Sequence, residues 1–240
     1  MTQTLSPQIY ARAAGMLYLI EIVLAFAVNP VWSKLFGAGG VPVAAALIAA
    51  PLSPWRLAFA GEVLMYVCYA TIAVLFYAVL RPVNPLLALL SAFLMLAHAA
   101  IGAASALGRF AAILLLSDSG TLGAVNARQL QAMASLALRL HNDGNDVGLV
   151  FFAVHCAVLG YLVYKSGYLP KAFGVLFVFA SLCLLTSIAT DFLVPAINAA
   201  IFPAIVVPLF LTQLLFALWL TIRGVDVRKW PAESDHAPAA

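Results

Sequence analysis

The chain has 240 residues, of which 65% are hydrophobic and 9% charged, and its mean hydropathy is +1.07. A water-soluble domain carries roughly 45–50% apolar and about 25% charged residues, so a soluble globule is excluded, and so is a disordered chain, which needs low hydrophobicity and high charge. The net charge of +3, from 12 basic and 9 acidic residues, lacks the clustered basic face of a nucleic-acid binder. The composition leaves an all-α, polytopic membrane helix bundle whose solvent is the lipid bilayer.

A membrane-spanning helix needs about 20 mostly apolar residues. Six segments meet that length, at roughly 12–30, 56–80, 86–116, 145–165, 171–192 and 200–222. Arg12 precedes the first, and Ala25-Phe26-Ala27 is like a signal-peptide cleavage site. Glu21 interrupts the apolar stretch, however, and nothing basic precedes Arg12, so it is read as a retained first helix. Asn29-Pro30 is expected to end that span, and Ser53-Pro54 to precede the second. Arg81-Pro82-Val83-Asn84-Pro85 and Lys165-Ser166-Gly167-Tyr168-Leu169-Pro170 are tight breaks, because proline cannot continue a helix ladder and glycine supplies turn geometry. Within the first long connection, Val41 to Ala50 is apolar but too short to span, which predicts an interfacial or re-entrant piece.

In the second long connection, Leu130, Met133, Leu136 or Ala137, and Leu140 recur at helical spacing. Arg128, Gln131, Ser135 and Arg139 take the opposite face, which predicts an extracytoplasmic amphipathic helix on the bilayer or capping the bundle. His141-Asn142-Asp143-Gly144-Asn145-Asp146 lacks calcium-loop spacing and reads as the cap and turn before the fourth span. One domain is expected over residues 1–230, followed by a polar tail at 231–240. Basic residues near span ends set orientation. Arg12, Arg81, Lys165, Lys171, Arg223, Arg228 and Lys229 fall on one side, against Lys34, Arg56, Arg128 and Arg139 on the other. Both termini are therefore expected in the cytoplasm of a cell whose inner membrane holds the protein.

Polar groups at membrane depth each need a partner or a use, since an ionisable side chain there costs roughly 2.5–3.5 kcal/mol. Glu21, His98, His155 and Gln213 fall near mid-bilayer, and Arg56, Glu62, Arg109, Asp146 and Asp191 form a layer towards the outside, with Asn145 among them. Two imidazoles and a carboxylate suit a divalent metal or a proton relay. They equally suit hydrogen bonding between helices, and no HxxxH or HxxE pair shares a helix face. In the outer layer, an Arg109–Glu62 or Arg56–Asp ion pair competes with a vestibule for an anion or zwitterion. Cys68, Cys156 and Cys183 lie in apolar runs without CxxC spacing, and read as small buried side chains. Neither cofactor nor metal is specified by any of these residues. GxGxxG, P-loop, GxSxG and HExxH motifs are absent.

Several stretches resemble one known family. They are Arg12-Ala13-Ala14-Gly15-Met16-Leu17-Tyr18-Leu19, Tyr77 through Asn84, and Phe151-Phe152-Ala153-Val154-His155-Cys156. Leu159-Gly160-Tyr161-Leu162, then Ser166-Gly167-Tyr168-Leu169-Pro170-Lys171-Ala172-Phe173-Gly174, and Ala217-Leu218-Trp219-Leu220 with Arg223-Gly224-Val225 complete the match. The chain is similar to bacterial multipass membrane proteins of domain-of-unknown-function family 4386. That resemblance implies a six-span bundle and no particular substrate. It also implies glutamate, in other members, where this chain has His98 and Gln213. Three functions stay open: a protein that binds or transports a small molecule or ion, a structural or regulatory subunit with a membrane partner or a second copy, and an intramembrane enzyme using His155 with Glu21 or Glu62.

Overall fold

The computed structural model describes residues 6–36, 54–117, 126–202 and 204–230. Val41–Ala50, Asp118 and the 231–240 tail lie outside the described residues. Among the described residues seven α-helices follow in order: α1 (Pro7–Phe36), α2 (Pro54–Leu80), α3 (Pro85–Ser117), α4 (Ala127–Ser166), α5 (Lys171–Leu193), α6 (Pro195–Ile201) and α7 (Val207–Ile222). No strand occurs among the described residues. Six stretches of the described residues are long and apolar enough to cross a membrane: α1, α2, α3, Arg128–Ser166 of α4, α5, and Ala204–Ile222 around α7. The protein is a multi-pass membrane helix bundle.

Two boundaries differ from the sequence reading. Helix α1 continues through Pro30 to Phe36. Proline removes one ladder hydrogen bond, but Trp32 and Leu35 beyond it are buried in an apolar cluster with Val28, Ala58 and Ile113. Burying large side chains stabilises by about 1.5–3 kcal/mol each, which offsets the loss. Secondly, Asn142–Asp146 is neither cap nor turn but the interior of α4, whose 40 residues are unbroken. The cap lies earlier. Asn126 Oδ1 accepts from Gln129 N at 2.9 Å and Gln129 Oε1 accepts from Asn126 N at 3.2 Å, a reciprocal capping box. The amphipathic segment therefore forms the first half of α4. Its buried face runs through Ala134, His141 and Gly148, whereas Met133, Leu136 and Leu140 are exposed.

The chain divides into two compact units. Unit 1 comprises Met1–Leu19, Ala70–Leu96 and Val150–Ala240; unit 2 comprises Ile20–Tyr69 and Ala97–Leu149. Unit 1 is centred on Phe216, whose ring meets Phe177 at 5.1 Å, Phe173 at 5.2 Å and Phe76 at 6.0 Å between centroids. Backbones approach closely at Gly160 of α4 and Gly174 of α5: a Cβ on either would lie 2.6–2.7 Å from the other's carbonyl oxygen. The α4–α5 turn uses Gly167 at φ 73°, and Asn84 Oδ1 caps α3 by accepting from Leu87 N at 2.9 Å, with Pro85 next.

Tyr168 holds one end of unit 1 together. Its hydroxyl donates to Val79 O at 2.7 Å, its own carbonyl accepts from Asp226 N at 3.1 Å, and its ring packs on Trp230 at 4.9 Å. Burial raises the phenol above its ordinary pKa, so it stays a neutral donor. Tyr168→Phe is expected to lower stability by about 1–2 kcal/mol, since Val79 O loses a buried donor. Thermal unfolding in detergent reads it, and an unchanged midpoint would show the bond contributes nothing.

Candidate functional site

The buried polar groups of unit 2 come from four helices. On α2, Glu62, Tyr66 and Tyr69 are spaced i, i+4, i+7 and so share one face. On α3, His98, Gly102, Ser105 and Arg109 share another at similar spacing. Glu21 of α1 is 5% exposed and accepts a hydrogen bond from the Tyr69 hydroxyl at 2.6 Å. The Tyr69 ring meets His98 edge-on at 5.1 Å, and Tyr66 meets the same imidazole edge-on at 6.4 Å. Gly102 leaves the space that Tyr66 occupies: a Cβ there would collide with the phenol ring. Gly148 of α4 closes the other side of His98, where a Cβ would lie 3.4 Å from Nδ1.

Next to this group sits an ion pair. Arg109 NH1 donates to Glu62 Oε1 at 2.8 Å, and the guanidinium lies over the Trp32 ring at 4.9 Å. The Trp32 indole approaches the same carboxylate, short of a close hydrogen bond. Glu62 therefore has a counter-charge inside the fold. Glu21 does not: among the described residues its partner is a hydroxyl. The remaining residues supply no lysine or arginine, because all 12 lie in the described segments. His141, which sequence reasoning assigned to a cap, is buried, and its Nδ1–H donates to Ser105 O at 2.8 Å.

The other expected residues are placed differently. Arg56 is exposed, its guanidinium 5.3 Å from the Trp55 ring centroid. Asp146 is half-buried within α4. His155, Gln213 and Asp191 belong to unit 1. His155 is fully buried, with Nδ1 at 2.8 Å from Ser91 O and 2.9 Å from Ser91 Oγ. A carbonyl oxygen only accepts, so Nδ1 carries the proton. Asp191 is exposed and accepts from Asn198 Nδ2 at 2.6 Å. Gln213 Nε2 is buried without an acceptor among the described residues. No cluster of three or more His, Cys, Asp or Glu with metal-site geometry occurs among the described residues. The three cysteines are free thiols.

Sequence reasoning missed Trp32, Tyr66, Tyr69, Ser91 and His141. The available signal was the stripe of polar and small residues at 62, 66 and 69 on α2, and at 141, 145, 148 and 155 on α4.

Six apolar spans and ionisable side chains buried between them define a polytopic membrane protein with a polar interior. The chain matches the family described as Domain of unknown function (DUF4386) over residues 13–224 and belongs to it. It is also similar to a protein of Archaeoglobus fulgidus described as uncharacterized, 29% identical over 173 residues, which cover 72% of this chain and 87% of that one. No solved structure matches.

Proposed function

We propose that the protein binds or transports a small cationic ligand through the polar interior of unit 2, with Glu21 as its carboxylate. One observation carries this reading. Glu21 is buried on a membrane-spanning helix, its partner is the Tyr69 hydroxyl, and among the described residues no lysine or arginine pairs with it. A buried carboxylate is stable only when it is protonated or when a cation sits beside it. Tyr69, Tyr66 and His98 add aromatic rings, whose faces accommodate organic ammonium as well as inorganic ions. We further propose that the protein resides in a bacterial cytoplasmic membrane with both termini inside, supported by seven basic residues near span ends on that side against four on the other.

Glu62, Arg109 and His155 fit the structural alternative instead. Each has a partner that an interhelical lock requires: Glu62 and Arg109 have one another, and His155 has Ser91. The two roles coexist in one bundle.

The test is native mass spectrometry and thermal unfolding of the gently purified protein against sodium, potassium, magnesium and tetramethylammonium. One of these is expected to bind or raise the unfolding midpoint in wild type, with the effect abolished in Glu21→Gln and weakened about tenfold in Tyr69→Phe, which removes one hydrogen bond to the carboxylate. Identical spectra and midpoints for wild type and Glu21→Gln across the panel would overturn the reading.

A further inference from the structure

One end of unit 1 gathers four separate segments. Gln8 Nε2 donates to Arg223 O at 2.8 Å and Gln8 Oε1 accepts from Val225 N at 2.9 Å. Tyr168 ties the end of α2 and the C-terminal segment to the α4–α5 turn through the bonds to Val79 and Asp226. These segments and the adjoining helix ends carry the seven basic residues already assigned to one side, against one described acid, Asp226.

Two open cavities flank Tyr168. One, of about 360 Å³, is lined by Leu169, Trp219, Arg223, Asp226 and Lys229; the other, of about 430 Å³, by Asn84, Tyr161, Lys165 and Ser166. Lys229 is held 3.5 Å from Asp226. Arg223 is exposed, and its guanidinium has no hydrogen bond or ion pair among the described residues. Aromatic rings accompany the cations: Lys165 lies 6.0 Å from the Tyr161 ring centroid and Lys171 5.5 Å from that of Tyr164. Trp219 and Ile222, on the last turn of α7 before Arg223, are 36% and 67% exposed. The end of α7 thus places a cation next to exposed aliphatic and aromatic surface.

We infer that this end of unit 1 is a binding site for an anionic phospholipid, with the headgroup phosphate at Arg223 and the acyl chains along Trp219 and Ile222. A guanidinium donates to phosphate in a bidentate fork. Basic residues next to a membrane-spanning helix recruit anionic lipid, each worth about fivefold in affinity. Free phosphate shares the headgroup chemistry but has no use for the exposed apolar surface below it, which favours the lipid. The contacts among Gln8, Tyr168 and Asp226 engage the backbone of Arg223 and leave its guanidinium open.

The experiment uses the full chain in a neutral detergent, with phosphatidylglycerol, phosphatidylcholine and inorganic phosphate compared by native mass spectrometry and thermal unfolding. Phosphatidylglycerol is expected to be retained and to raise the midpoint, phosphatidylcholine and phosphate to do neither. Arg223→Gln should reduce phosphatidylglycerol retention about fivefold and Arg223→Gln with Lys229→Gln further, while Arg223→Lys keeps most of it. Equal retention of the two lipids by wild type overturns the inference. So does protection by inorganic phosphate as strong as by phosphatidylglycerol.

Discussion

Arg109→Met is expected to cost about 3 kcal/mol of stability, one of the two largest losses from a single substitution in this protein. The Glu62 side chain is 6% exposed and Arg109 20%, with 2.8 Å between them. Removing one partner of a buried pair costs about 3–5 kcal/mol, mainly because the remaining charge is stranded. The fifth of Arg109 that reaches solvent sets the expectation at the lower end, and loss of the contact over Trp32 adds up to about 1 kcal/mol. The double variant Arg109→Met with Glu62→Gln should recover most of the loss, since neither charge is then left buried. Chemical unfolding of the four-member cycle measures both effects. A double variant no more stable than Arg109→Met would show that packing on Trp32, not the charge pair, matters here.

Gly174→Ala is expected to destabilise by about 2–3 kcal/mol although alanine is the better helix former. Intrinsic propensity alone predicts a gain of about 1 kcal/mol, so the two accounts differ in sign. At Gly174 a Cβ would stand 2.6 Å from Gly160 O and 2.7–2.8 Å from the Cβ and backbone nitrogen of Tyr164. None of these atoms is the free end of a flexible chain, so α4 and α5 must separate, and overpacking of this kind costs about 1–3 kcal/mol. Gly148→Ala, with neighbours at 3.4–3.5 Å, is the control and should stay within about 1 kcal/mol of wild type. A stabilised Gly174→Ala would show that the α4–α5 contact yields easily.

The six spans were legible because apolar run length is a direct consequence of bilayer thickness. The Arg81–Asn84 and Lys165–Pro170 breaks were legible because proline and glycine act locally. Pro30 and Asn142–Asp146 were misread for a common reason: local preference favours a helix end at both, and non-local packing overrides it. At Pro30 the burial of Trp32 and Leu35 decides. In α4, Gly144 lies close to Ser105, where a Cβ would meet its hydroxyl, and His141 bonds to Ser105 O. Glycine in that stretch serves close approach rather than a turn. For the polar interior, residue type gave Glu21, His98, Glu62 and Arg109 but not their grouping. Which charges pair depends on helix rotation: the Arg109–Glu62 alternative is realised, while Arg56 lies beside Trp55. Tyr66 and Tyr69 escaped notice because a tyrosine in an apolar run reads as hydrophobic bulk, and its hydroxyl matters only once a partner is opposite.

The four tryptophans fall evenly between the two units, Trp32 and Trp55 in one and Trp219 and Trp230 in the other. Trp32 lies under the Arg109 guanidinium, and Trp230 packs on Tyr168 beside the basic end. The molecule thus carries its own optical probes. A variant retaining Trp32 alone would report the charge pair through its emission, and one retaining Trp230 alone would report the lipid-facing end. Recorded along one denaturant series, the two intensities would tell whether the halves of the chain come apart together or in turn, with no dye attached.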